Sequence, residues 1–307
     1  MSCQFADEII KLHGNLSYRG LPDAIEGEPV FRFDGPDDGL TTIGVRQSQL
    51  PMRYLRAVMG FRLAKFLEIG FMDPELVRRR ALFYEPLAHV AGPETIHTVT
   101  LTSTGRIGGY MALVGTPDPV PLSFDDPTRT RFPAEVAHRV DLLRGFAGPG
   151  LNTHQVYEIK RLVRDPAATS GQQRERVPWH LILALGMAAR AVGVSHVLGD
   201  AREAGALRHL RAIGFTPLVI NDTRPSLPRT ELMWPSYTMP EPAKPFVGEI
   251  PAELDTSLDI IRTALEQRTG TEWQRGLIRQ LVAARTGARR DRELVSAGAG
   301  LGAGTGY

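Results

Sequence analysis

The run VPWHLILALGMAARAVG, residues 177–193, constrains this chain more than any other. It is too long for a strand, and its leucines and alanines are strong helix formers. Pro178 suits a first turn and Gly193 an end. The run VYEIKRLV (156–163) precedes it and VSHVLGDA (194–201) follows it, and both read as strands. EAGALRHLRAIGF then predicts a helix stopped by Gly214, and FTPLVI a further strand. A chain that crosses over in this way builds a sheet with helices packed on it.

The upstream sequence fits that frame. MRYLRAVMGFRLAKFLEIGF (52–71) carries a broad apolar helical stripe, and Gly70 closes it. TIHTVTLTSTGRIGGYMALVGTPDP (95–119) reads as two strands turning at Thr104-Gly105. Residues 117–150 are rich in Pro, Asp and Gly, with a helix expected over 133–145. The core order is therefore helix, strand, strand, insert, strand, helix, strand, helix, strand. That implies an α/β (α+β) fold, a mixed sheet with helices on both faces. Residues 1–50 read as an N-terminal extension, in which FRFDGPDDGLTTIGVRQSQLP is a turn-rich connection. Residues 51–220 are expected to form the main domain, and 221–290 a Pro-rich connection followed by C-terminal helices. Residues 291–307 are Gly- and Ala-rich and read as a disordered tail.

Composition narrows the class of partner. A formal net charge of +2 is too small to argue for nucleic acid. Cys3 is the single cysteine, which excludes an intrachain disulfide and fits a reducing cytoplasm. No apolar run approaches the roughly 18 residues of a membrane helix. The histidines show no pair at metal-ligand spacing, so no metal is expected.

The strand VYEIKRLV holds the chemistry. It packs Glu158, Lys160 and Arg161 among apolar residues. Strict alternation puts Glu158, Lys160 and Leu162 on one face, and Tyr157, Ile159, Arg161 and Val163 on the other. A buried carboxylate must be paired or hydrogen-bonded, and burial raises its pKa into the range of a general base. The plainer reading is a structural ion pair or an exposed edge.

Four blocks resemble the acyl-homoserine lactone synthases, which have the Gcn5-related acyltransferase fold and consume S-adenosylmethionine. The family strand Trp-Glu-x-Ser-Arg-Phe meets Tyr157-Glu158-Ile159-Lys160-Arg161-Leu162, with Lys160 in place of Ser. On the first helix, Arg62, Phe66 and Ile69-Gly70-Phe71 match Arg, Phe and Leu-Gly-Trp. GGYMALVGTPDP keeps Thr116 and Pro117, and GVSHVLGDAREAGALRHLRAIGF matches the closing strand and helix. The likeness covers about residues 52–220. It departs where the family arginine falls near Ala112, and where the acidic pair has only Glu85 as a candidate. The extension beyond 220 has no clear counterpart.

The resemblance assigns roles. Glu158 would move a proton as general base, and Arg161 would fix neighbouring carboxylates. Arg62 would hold a substrate carboxylate or an acidic partner from the strand, helped by Lys160. Phe66, Phe71, Tyr157 and Trp179 would wall an adenine or thioether pocket, although such aromatics are more often core. The glycine-rich pyrophosphate loop of the fold is missing from SGQQRERVP, and Leu210 stands where acetyltransferases carry a tyrosine acid. Arg174 and Arg176 are left to meet a phosphopantetheine.

S-adenosylmethionine is then expected as substrate, with no bound cofactor. The first reaction is intramolecular cyclisation to 1-aminocyclopropane-1-carboxylate with release of methylthioadenosine. It needs one folded substrate and no acyl tunnel. The second is N-acyl transfer from an acyl-carrier protein or acyl-coenzyme A. The third reading is a non-catalytic partner-binding domain that docks through the Pro-rich 221–251 segment.

Overall fold

The computed structural model describes residues 3–87, 94–267 and 272–300, except the side chains of Arg161, Glu203, Ala204 and 287–300. In chain order it lays down α1 (Gln4–Gly14), β1 (Phe31–Asp34), β2 (Leu40–Arg46), α2 (Met52–Glu68) and α3 (Pro74–Arg79). Then come β3 (Ile96–Thr102), β4 (Ile107–Gly115), α4 (Pro133–His138), β5 (Val156–Arg164) and α5 (Gly171–Ala191). The chain continues with β6 (His196–Ala201), α6 (Arg208–Ala212), β7 (Leu218–Val219), α7 (Trp234–Tyr237), β8 (Lys244–Glu249), α8 (Leu254–Glu266) and α9 (Trp273–Gly300).

The strands form one sheet in the order β1-β2-β3-β4-β5-β6-β8-β7. Only β5 and β6 run parallel, joined by the α5 crossover; the other neighbours are antiparallel. The mixed sheet expected from the sequence is therefore present, and it is larger than expected. β1 and β2 lie in the stretch read as a turn-rich connection. Phe31, Phe33, Leu40 and Ile43 are buried there, and the Asp-Gly turn that looked like a linker is a hairpin. β8 lies beyond residue 220 and pairs with β6 along its whole length. Residues 31–46 and 244–249 thus belong to the same sheet as the central strands.

Two core layers cover the faces. On one, α5, α8 and α9 pack over Tyr157, Ile159, Val197 and Phe246. On the other, α1 and α2 pack over Ile43, Val99, Tyr110 and Val163. A smaller cluster, Phe124, Phe132, Leu143, Val156, Leu198 and Val247, extends that second layer under α4. Gly109 lets α5 approach: a Cβ there would stand 2.5 Å from Val177.

α5 starts earlier than Pro178 implied. Ser170 caps it, its hydroxyl accepting from the Gln173 N–H while the Gln173 side chain returns to Ser170 N–H. That capping box adds two turns, so Pro178 lies inside the helix. At the other end of the chain, the backbone of α9 stays helical to Gly300, into the stretch expected as tail. Residues 301–307 lie outside the described residues.

Candidate functional site

β5 and β6 part company early. Their register covers Val156↔His196 to Glu158↔Leu198, yet β5 runs on to Arg164 and β6 to Ala201. Gly199 stands at the point of divergence, where a Cβ would meet the Ile159 carbonyl at 3.0 Å. A cavity of about 560 Å³ fills the wedge. Ligands of open sheets bind beyond the carboxyl ends of parallel strands, where neighbouring strands diverge.

The cavity passes through the sheet. Ile159, Leu162, Val177 and Phe246 reach it from the α5 side, and Phe66, Phe71, Val163, Met233 and Tyr237 from the α2 side. Lys65, Arg164, Arg174 and Arg202 add positive charge to its walls. Such a space, mainly apolar with a few placed polar groups, has the character of a small-molecule site.

The strand alternation read from VYEIKRLV fails halfway. Ala112 pairs with Lys160 and Tyr110 with Val163, so β5 carries an extra residue between them. This bulge reverses the faces. Leu162 packs with Tyr157 and Ile159 on the α5 side, while Val163 joins Tyr110 and Ala112 on the α2 side. The Arg161 side chain lies outside the described residues.

The expected site residues divide into two groups. Phe66 and Phe71 line the cavity, stacked at 6.2 Å and 23°. Arg62, Tyr157, Glu158, Lys160 and Trp179 are not among its lining residues. Trp179 is core on α5, edge-on to His209 at 5.3 Å. Tyr157 is core on β5, its ring 3.2 Å from where a Gly115 Cβ would sit. Both have the burial of aromatic packing residues rather than of cavity walls.

Glu158 is buried and forms an ion pair with Lys160, Nζ to Oε1 at 2.8 Å. Arg62 is fully buried too. Its acidic partner is Glu85 at 3.0 Å, from the loop after α3 rather than from the strand. Tyr110 accepts from Arg62 at 3.4 Å and meets His97 Nδ1 at 2.8 Å. Burial works against the Arg62 charge, but Glu85 and Tyr110 outweigh it and raise its pKa. Burial, then the Arg62 charge, pushes His97 down to about 3, so this ring is neutral. Burial lifts the Tyr110 phenol to about 12. The Arg62 guanidinium also lies over the Phe66 ring at 5.6 Å. It therefore supports a cavity aromatic from behind.

The two arginines left for a phosphopantetheine also differ. Arg174 lines the cavity and donates to the Pro166 and Thr169 carbonyls. Arg176 is buried against Asp38 at 2.9 Å and donates to the carbonyls of Leu265 and Gln267. It ties α5 to α8 and is closed to a ligand.

Sequence reading missed Asp200, Tyr237 and Lys65. Lys65 pairs with Asp165 at 3.2 Å and Glu68 at 2.7 Å. Asp200 is the last residue but one of β6, and Tyr237 reaches it from the Pro-rich segment; the phenol donates to Oδ2. That segment is built into the molecule: Leu232 and Met233 are buried in the α2-side core. A carboxylate at the C-terminal end of a strand after a crossover helix was the available signal.

No family model matches the chain, and no curated protein matches it. Solved structures similar to it include a CoA-dependent acyl-homoserine lactone synthase, BjaI, with SAM and isopentyl-CoA. That likeness has 15% identity, covers 78% of this chain and 97% of that one, and has a TM-score of 0.43. TofI in a ternary complex with an inhibitor and MTA is similar at 18% identity, 71% and 96% coverage and a TM-score of 0.44. The AHL synthase LasI is similar at 16% identity, 72% and 95% coverage and a TM-score of 0.44. Two of these are synthases of the family that the sequence blocks resemble. At such TM-scores the likeness decides neither substrate nor reaction. Among the described residues, no helix is long and apolar enough to cross a membrane, and no His/Cys/Asp/Glu group is arranged to hold a metal ion.

Proposed function

We propose that this protein is an S-adenosylmethionine-consuming N-acyltransferase. One observation carries the reading: the cavity passes through the sheet between β5 and β6, with walls from both core layers. A reaction between two substrates needs a channel with two approaches. The α2 side offers Phe66 and Phe71 to a nucleoside or sulfonium. The α5 side offers Ile159, Leu162, Val177 and Phe246 to an acyl chain. The diverging strands give an amide-bearing donor arm room to lie along β5, where main-chain groups add affinity as in strand addition.

In this reading the acceptor amine attacks the donor thioester, and the carboxylate then closes a lactone as methylthioadenosine leaves. Holding both reactants in one wedge supplies much of the acceleration by proximity. The sequence resemblance points to the same pair of substrates.

Cyclisation to 1-aminocyclopropane-1-carboxylate is the second reading, and the α5 terminus favours it. Ser170 already caps the Gln173 N–H, and Arg174 is committed to two carbonyls. A coenzyme A pyrophosphate would not find the usual open cluster of N–H groups. Under acyl transfer, the same feature favours a carrier-protein donor.

The test is methylthioadenosine release from S-adenosylmethionine, with and without acyl-coenzyme A or acyl-carrier protein. Acyl transfer is expected to show release only with a donor. Release without one assigns cyclisation. No release in any arm overturns both.

A further inference from the structure

β1 forms one edge of the sheet. Its side chains alternate: Phe31 and Phe33 are buried in the α5-side core, while Arg32 and Asp34 are exposed. The direction of its main-chain groups follows from its end. The Gly35 N–H donates to the Leu40 carbonyl at 2.7 Å, so Gly35 turns toward β2. Antiparallel residues alternate in this respect. Phe33 and Phe31 therefore face β2 as well, and Arg32 and Asp34 turn their N–H and C=O groups to the open side. The other side of β2 agrees. Gln47, an odd number of residues from Leu40, donates its N–H toward β3, to the Thr95 carbonyl at 2.7 Å.

Among the described residues, no strand pairs with the open side of β1. Such an edge is a template for another strand, and the side chains that stand opposite decide which strand it accepts. β1 is complementary to itself. Take two copies of it, antiparallel about a twofold axis through Phe33. Arg32 of one copy then stands opposite Asp34 of the other, and Asp34 opposite Arg32. Both pairs point their main-chain groups at each other, so each exchanges two N–H···O bonds. Moving the axis to Arg32 sets arginine against arginine, and moving it to Asp34 sets aspartate against aspartate, which is unfavourable. Pro36 offers no N–H beyond Asp34, so the ladder stops there.

We propose that β1 is a self-pairing edge, through which two copies of this chain join antiparallel about Phe33 into one continuous sheet. The contact is isologous, so it closes at two copies. Charges of one sign guard an edge strand against pairing. Charges of both signs at alternate positions instead select one partner and one register. Within one chain, Arg32 holds Asp34 at 3.0 Å, and Thr41 donates to the same carboxylate at 2.7 Å. The Arg32 and Asp34 side chains are half-exposed, so exchanging that pair for its equivalent across the axis changes little in energy. The main-chain bonds hold the copies, and the charges set the register.

The experiment is sedimentation of full-length chains over a rising concentration series. Wild type is expected to pass from one copy to two. Arg32→Asp and Asp34→Arg each set like charges opposite at both pairs and should weaken self-association by about tenfold or more. Both replace half-exposed side chains, so folding is not at stake. Mixing the two single variants restores opposite charges at both pairs, and a mixed dimer is expected. The chain carrying both substitutions should dimerise like wild type. A wild type that stays one copy at every concentration overturns the proposal. A dimer that the single substitutions leave unchanged overturns it too, because β1 would not be the contact. Single variants that stay apart when mixed overturn the register about Phe33, and the proposal with it.

Discussion

Lys160 and Glu158 lie two residues apart on one face of β5, and each supplies the other's counter-charge at 2.8 Å. Their side chains are only 8% and 1% exposed, so water does little to screen either charge. Removing one partner of a buried pair is expensive because the other stays charged and unpaired. Glu158→Gln is therefore expected to lose about 3–5 kcal/mol of stability in urea unfolding. Glu158→Gln combined with Lys160→Met should regain most of it. A single variant as stable as wild type would show that the pair is not a structural unit. The charges in VYEIKRLV were legible as unusual, but their partners were not. Alternation placed Glu158 and Lys160 together correctly. It could not show that they pair with each other, nor that Asp200, some forty residues on in the sequence, lines the cavity. The aromatics have the same ambiguity. Phe66 and Trp179 both sit on apolar helix faces, and burial looks alike in sequence whether the far side is packed or open.

At the scale of elements, periodicity read the central strands and helices well, because α2, β3, β4 and α5 bury whole apolar faces. It failed where a local device changes the period. The bulge in β5 moved Leu162 and Val163 to faces opposite from those expected. No glycine or proline marks it within the strand. The Ser170 cap started α5 well before Pro178. α5 also packs on α6 through Trp179 and His209, which places a titratable ring in the contact. Burial, then Arg208, pushes His209 down from 6.5 to about 4. His97 falls from 6.5 to about 3, through burial and then Arg62. A histidine with a lowered folded pKa binds its proton more readily in the unfolded chain. Stability is therefore full above pH 6.5 and declines as pH falls from 6.5 towards the folded values near 4 and 3. Each such ring contributes a slope of about 1.4 kcal/mol per pH unit in that window. His209→Phe keeps a ring against Trp179 and removes one titration. Its unfolding free energy should fall less steeply than wild type between pH 6.5 and about 4; equal slopes would rule out His209 as a source.

For the molecule as a whole, the boundaries drawn from composition do not follow the packing. The stretches before residue 50 and after 220 looked like additions because proline and glycine interrupt them. Yet they supply β1, β2 and β8 to the sheet and the α7 wall to the cavity. Such strands are hard to see in one sequence, because β1 has only four residues to set a period and β2 and β8 lie among turn-forming glycines, aspartates and prolines. The C-terminal helices are integral as well. α9 buries Leu277 and Leu281 in the core over α5. Trp273 donates its indole N–H to the Ala264 carbonyl at 2.8 Å and lies under the Arg176 guanidinium at 5.0 Å. Arg285 reaches the Arg211 carbonyl at 2.6 Å, tying α9 to α6. The anchors described for α9 are thus Trp273, Leu277, Leu281 and Arg285, and the sequence after Thr286 turns charged and then Gly- and Ala-rich. A chain ending after Thr286 should keep the wild-type melting temperature and urea midpoint. A chain ending before Trp273 loses two buried leucines, each worth about 1.5–3 kcal/mol, and leaves apolar surface of α8 uncovered. It should melt far lower or fail to fold. If the chain cut after Thr286 behaves like the one cut before Trp273, the last turns of α9 carry packing that its first turns do not, and the core extends further along the chain than Leu281.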